Sequence, residues 1–441
     1  MKKLTQAHFA ERRDHLAAEI GLRSIAIIAT SPEVMRNNDA DYKYRADSSF
    51  FYLTGFAEPG AVAVIETFDS EEEGYCYTLF CRERDRDMEI WNGYRAGLDG
   101  ALNDYEADEA YAIDSLDEEI IAKLVNKDKV FYRIGHQEEF DTRVTQWIKQ
   151  AEKNYRNAHI PAQVIQLNRI VNEMRLYKSS EEIELMKIAS DISAQAHTRA
   201  MQTVEPNMME YALEAELNYI FGKNGCVPSY NSIVGGGENA CILHYVENNK
   251  VLKDGDLVLI DAACEYEFYA SDITRTFPVN GKFSEEQKAL YNVVLEAQIA
   301  AIDQVRIGHS YQAPHHAAVK ILVQGLIDLG IMKGDLAAII KDESYRQFYM
   351  HGTGHWLGMD VHDVGAYTID GKWRTYEDGM VVTVEPGLYI APDDETVDEK
   401  WRGIGIRIED DVVATQNGPY VLTSNVVKTV DDIERIMTVS Q

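Results

Sequence analysis

The stretch LVLIDAACEYEFYASDITRTF, residues 257–277, constrains this chain more than any other part of it. An apolar run, a short polar break at Glu265 to Glu267 and a second run predict an antiparallel hairpin. Reflection about the break sets Asp261 opposite Asp272. Cross-strand partners have Cβ atoms about 4.5–5.5 Å apart, and two like charges directly opposed destabilise a sheet unless a cation lies between them. A divalent metal is the simplest remedy.

Three further groups extend the pattern. In MVVTVEPGLYI a β-branched run ends in Glu385, and Pro386 and Gly387 stop it, which puts the carboxylate at a strand terminus. In GIGIRIEDDVVA the alternation places Ile404, Ile406 and Ile408 on one face, with Arg407 and Glu409 on the other. His355 lies in HGTGHWLGMDVHDVG, where Gly352, Gly354 and Gly358 let the backbone come close to a site. A single Asp in a strand, or a Glu before Pro, is most often a cap or a solvated residue. The set of Asp261, Asp272, His355, Glu385 and Glu409 reads instead as the donors of a two-metal hydrolase. Hard carboxylates favour Mn²⁺-like ions, and one imidazole also admits Zn²⁺, Co²⁺ or iron.

These segments together resemble the pita-bread metallopeptidases of peptidase family M24, and among them the bacterial type of aminopeptidase P (Xaa-Pro aminopeptidase). The resemblance runs from RNNDADYKYRADSSFFYLTGF to the closing LTSNVVKTVDDIERIM. It implies two divalent ions per chain, with Asp261 chelating one, His355 and Glu385 on the other, and Asp272 and Glu409 bridging them. Implied with them is a hydroxide shared by the metals, which would cleave the first residue from peptides with proline in second position. Glu385 is then the general base, and His362 or His244 stabilises the oxyanion. Tyr230, His351, His244 and His362 are the candidate walls of a proline pocket, with Tyr230 ranked last. Tyr367 and Arg407 fall close by, and Arg407 would orient a bridging carboxylate or a substrate carbonyl. Asp39 and Trp91 match positions that close the site, in relatives often from a neighbouring subunit, so a homodimer or homotetramer is expected.

Other histidines have weaker claims. His197 has only a weak claim. His315 and His316, in an amphipathic helical stretch, read as surface residues. Three rivals share the fold: prolidase, which is restricted to dipeptides, a non-catalytic peptide-binding module, and metal-free creatinase. Five intact ligands argue against the last two.

With 441 residues the chain exceeds one ordinary core. Up to about residue 172, strand-like runs (SIAIIATS, AVAVIETF, YCYTLFCR, KVFYRIG) alternate with helical stretches, which predicts an α/β domain. From residue 173 to 441 the resemblance implies an α+β pita-bread catalytic domain, built from two related halves with the metals between them. It opens on a long helix with Ser180 as N-cap. The N-terminus carries charges throughout and reads as an amphipathic helix, not a signal peptide. No run approaches the roughly 18 apolar residues that span a bilayer. Five cysteines, Cys76, Cys81, Cys226, Cys241 and Cys264, form no CxxC pair, which suits a reduced, cytoplasmic protein. A formal charge of −30 argues against nucleic acid or an anionic membrane as partner.

Overall fold

The structure, a computed structural model, describes residues 2–438, which divide into two compact units between Arg175 and Leu176. In the first unit the predicted strands assemble into one six-stranded sheet. Its order is Glu109–Ala112, Tyr75–Cys81, Val62–Thr67, Ser24–Ala29, Lys129–Tyr132 and Gln163–Gln166. The hairpin-linked central strands pair antiparallel, while the outer strands join in parallel. Ile25, Ile27, Val62, Val64, Phe80 and Val130 point into a core closed by Leu116, Ile120, Val144 and Trp147. Those last four come from Leu116–Lys123 and Glu138–Asn154, two helices whose apolar residues recur every three to four positions.

The second unit repeats one pattern twice: two helices, then a three-stranded antiparallel sheet. Ser180–Thr203 and Glu210–Lys223 precede the sheet Ile233–Gly236, Leu257–Asp261 and Thr274–Pro278. Glu285–Ile302 and Ala313–Asp328 precede the sheet Val381–Val384, Asp410–Thr415 and Gly418–Val421. Helix Ser180–Thr203 starts one residue earlier than expected from sequence. Its N-cap is Ser179, whose hydroxyl accepts from Glu182 N–H while the Glu182 side chain returns to the Ser179 N–H. Both serines precede acidic residues, but only Ser179 has the three-residue spacing of a capping box.

The hairpin register also differs from its prediction. Tyr266 pairs with Tyr269 and Asp261 with Thr274, so the turn is centred on Glu267 and Phe268. Both take positive φ, 48° and 70°, which is the two-residue hairpin turn that glycine or asparagine would ordinarily announce. Asp272 is therefore diagonal to Asp261, two residues from the directly opposed position. The two sheets meet where they carry acids: Glu409 N–H donates to Thr274 O (3.1 Å), and Thr276 Oγ1 donates to Arg407 O (3.0 Å). Among the described residues no helix is long and apolar enough to cross a membrane.

Candidate metal centre

Each expected carboxylate sits at or beside a strand end on this seam. Asp261 closes one strand and Asp272 lies two residues before the next. Glu385 follows Val381–Val384, and Glu409 precedes Asp410–Thr415. His355 is carried by a segment running beside strand Val381–Val384: Thr383 N–H donates to His355 O (3.0 Å), and Glu385 N–H donates to Thr353 O (2.8 Å). Gly354 is required there, since a Cβ on it would fall 1.9 Å from the Thr383 carbonyl oxygen.

His355 Nδ1 lies 3.0 Å from Trp356 O, and a carbonyl can only accept, so the proton is on Nδ1. Nε2 then faces Asp272 Oδ2 at 3.4 Å and Glu385 Oε1 at 3.7 Å. Donor atoms of Asp272, His355 and Glu409 all lie within 4.8 Å of one another. Tyr230 donates toward both aspartates, 2.6 Å from Asp261 Oδ1 and 2.5 Å from Asp272 Oδ1. Thr274 Oγ1 donates to Glu409 Oε2 (2.6 Å), and Arg407 donates to Asp261 Oδ2 (2.7 Å) and to Thr274 Oγ1 (3.0 Å). Arg407 therefore reaches Glu409 through a threonine and binds Asp261 directly.

Crowded carboxylates out of water resist ionisation. Burial pushes Glu385 up to about 7, against the pull of His355 and Arg407. Glu409 is raised by burial and by Asp272 and Glu385, and Asp272 by burial and by Asp261. Burial would lower His355, but Asp272 and Glu385 outweigh it and lift the imidazole to about 9. Four convergent carboxylates with a single imidazole and a single guanidinium are a donor set short of positive charge, which one or two divalent cations would supply.

A cavity of about 400 Å³ opens onto this cluster. Ile233, Leu243, Val246 and Val361 form its apolar wall, with His244, His351 and His362 around it. His244 and His362 are exposed, and the His362 ring packs edge-on to His355, 4.3 Å between centroids. His351 is tied by Nε2 to Tyr389 Oη (2.9 Å), and burial followed by Arg407 pushes it down to about 3.

Three expectations need correction or completion. Tyr367 stands back from the cavity wall, stacked on Trp356 at 5.5 Å with its hydroxyl on the Trp356 N–H. His315 is not a surface residue: Nδ1 meets Thr353 Oγ1 at 2.9 Å beside a second cavity, whereas His316 is exposed. Asp39 and Trp91, expected to act toward a neighbouring subunit, lie exposed in the first unit. Tyr230, ranked last, lies at the centre of the cluster. Thr274 was missed, although strand alternation from Asp272 puts it on the same face.

Residues 184–416 match the profile described as metallopeptidase family M24, and residues 9–132 match the aminopeptidase P N-terminal domain. The chain belongs to metallopeptidase family M24. This M24 chain is 46% identical over 443 residues to the Xaa-Pro aminopeptidase of Escherichia coli, with 100% of each covered. It superposes on the Pseudomonas aeruginosa aminopeptidase PepP with a TM-score of 0.97 at 49% identity, covering 100% of this chain and 99% of that one. A variant of Escherichia coli aminopeptidase P in complex with substrate gives 0.96 at 45% identity, with 100% and 99% covered. The M24 fold of these relatives, a catalytic unit preceded by the aminopeptidase P N-terminal domain, is the fold of this chain.

Proposed function

We propose that this M24 peptidase removes the first residue from peptides whose second residue is proline, using two divalent ions held by Asp261, Asp272, His355, Glu385 and Glu409. One observation carries the reading: the acidic cluster forms the floor of a cavity whose remaining wall is apolar and histidine-rich. Full-length likeness to Xaa-Pro aminopeptidases supports it. Mn²⁺ suits a donor set of four carboxylates and one imidazole.

The residues divide the work. Divalent ions bound there supply a water acidic enough to attack at neutral pH and polarise the scissile carbonyl. Glu385, close to neutrality in its titration, takes up a proton and passes it to the departing proline nitrogen. That nitrogen bears no hydrogen and is held in a ring, so general peptidases fit it poorly. Leu243, Val246 and Val361 offer the ring an apolar surface, and His362 and His244 reach the developing oxyanion from the exposed side. Acidic surroundings favour the substrate's free ammonium group.

The deciding experiment incubates Mn²⁺-loaded enzyme with equal concentrations of Ala-Pro-Ala, Ala-Pro and acetyl-Ala-Pro-Ala and follows free alanine. The tripeptide is cut fastest and the acetylated peptide not at all. Faster hydrolysis of Ala-Pro would make the enzyme a prolidase. The proposal includes a cytoplasmic homodimer or homotetramer in which Asp39 and Trp91 approach a neighbouring subunit's site. Exposure of Ile90, Trp91 and Tyr94, at 73%, 84% and 90%, supports a subunit contact. Light scattering that gave a monomer at micromolar concentration would remove that part.

A further inference from the structure

We infer that Lys178 and Asp363 form a buried positioning clamp that sets the orientation of His355 and His362, a role that rests on the reading of those two histidines as working groups of the site. Lys178 Nζ lies 2.9 Å from Asp363 Oδ2, and both side chains are only 1% exposed. Asp363 directly follows His362. Its N–H donates to Trp356 O at 2.9 Å, and the same carbonyl takes the proton of His355 Nδ1 at 3.0 Å. That shared acceptor closes residues 356–363 into a loop and leaves His355 Nε2 turned toward Asp272 and Glu385.

The pair fills the space beneath this loop. A Cβ on Gly358 would fall 2.1 Å from Asp363 Oδ2 and 2.8 Å from Lys178 Cε, so the chain must pass over the ion pair as glycine. Gly358 O accepts from Ala270 N–H (2.8 Å), two residues before Asp272. At the other end Lys178 N–H donates to Gly379 O (2.9 Å), just ahead of the strand that leads to Glu385. Lys178 thus joins the histidine loop to the backbone that leads into the Glu385 strand, and Gly358 O ties the same loop to the Asp272 hairpin.

Stability alone is a poor reason for such a pair. Removing two charges from water costs about as much as their attraction returns, and apolar residues of similar volume often replace a buried pair without loss. An ion pair differs from an apolar pair in having one narrow geometry. That is what a loop needs if its histidines are to be placed to within about 0.5 Å.

The test compares Lys178→Met, Lys178→Arg and the double variant Lys178→Met/Asp363→Leu with the unaltered protein. It reads Tm, kcat and KM on Ala-Pro-Ala, and divalent-metal affinity by competition with a chelator. Lys178→Met takes the lysine from the buried Asp363 carboxylate and lowers everything. In the double variant Tm returns, but kcat and metal affinity stay about 10–100-fold down, the range for partners that orient metal ligands, while KM changes little. Lys178→Arg recovers part of kcat. If either kcat or metal affinity returned to within tenfold of normal along with Tm, the pair would be a stability element only. Should Ala-Pro-Ala prove not to be a substrate, the function proposed above fails, and metal affinity still decides the clamp.

Discussion

The two sides of the site are built differently. On one side Asp261, Asp272 and Glu409 sit at strand ends, each held by a hydroxyl or guanidinium from Tyr230, Thr274 or Arg407 at 3 Å or less. On the other, His244 and His362 stand exposed on loops. Strand ends locked by buried hydrogen bonds fix charge in place, as ion binding requires. His244, on its loop, is free to adapt to a substrate, whereas His362 rides on a loop anchored from beneath by Lys178 and Asp363.

The largest effect that separates the two sides is loss of metal. Asp272→Ala or Glu409→Ala is expected to strip bound ion and lower activity by more than the roughly 10–100-fold typical of residues behind the ligands. Atomic absorption on the purified variants checks it, and full activity in metal-free buffer would break the comparison. Next comes the histidine side. His362→Ala or His244→Ala should lower kcat by about 10²–10³, the usual loss for one oxyanion donor, with metal content unchanged. If metal fell in step with rate, the residue would belong with the ligands.

Tyr230→Phe is a finer probe of the fixed side, because it removes one oxygen shared by Asp261 and Asp272. Metal affinity should fall by about tenfold and the loss should shrink at saturating Mn²⁺. A smaller effect again, and one outside activity, comes from His197. It is fully buried against Ala262 O at 2.8 Å, and burial pushes it down to about 4. The unfolded chain therefore takes up a proton near 6.5, before the folded one does. The contribution is complete above pH 6.5 and is lost as pH falls to about 4, an amount on the order of 3 kcal/mol. Urea titrations of His197→Gln should show a flatter stability profile across that window. An unchanged slope would mean that another group carries it.

The fixed side was also the more legible one. Glu385 announces itself because a β-branched run stops at it, Glu409 because alternation sets it on the face of Arg407, and Asp261 because it ends the first arm of a hairpin, all local signals that need no tertiary knowledge. The turn centre differs from the sequence reading by one residue, and the pairing by two, because Glu267 and Phe268 adopt left-handed backbone without glycine or asparagine to mark the turn. His315 reads as a surface residue when grouped with His316, but only His316 shares the four-residue spacing of Lys320, Gln324 and Asp328 that marks the polar face; His315 falls on the side of Ala318, Val319 and Leu322. Tyr230 has no local sequence signal for a place beside the aspartates and enters only as the last-ranked wall of the pocket. It lies between strands, where only the folded geometry shows what its hydroxyl meets. In the first unit the strands were plain in the sequence.

The seam between the two sheets has an evolutionary consequence. Asp261 and Asp272 come from the first repeat of the catalytic unit, and His355, Glu385 and Glu409 come from the second. Neither repeat owns a complete donor set. A substitution that discards one repeat's share leaves the other with acids facing an empty partner, so selection cannot tune the two independently. Drift at these five positions, and at Thr274 and Arg407 which link them across the seam, should therefore proceed by matched changes in both repeats or not at all.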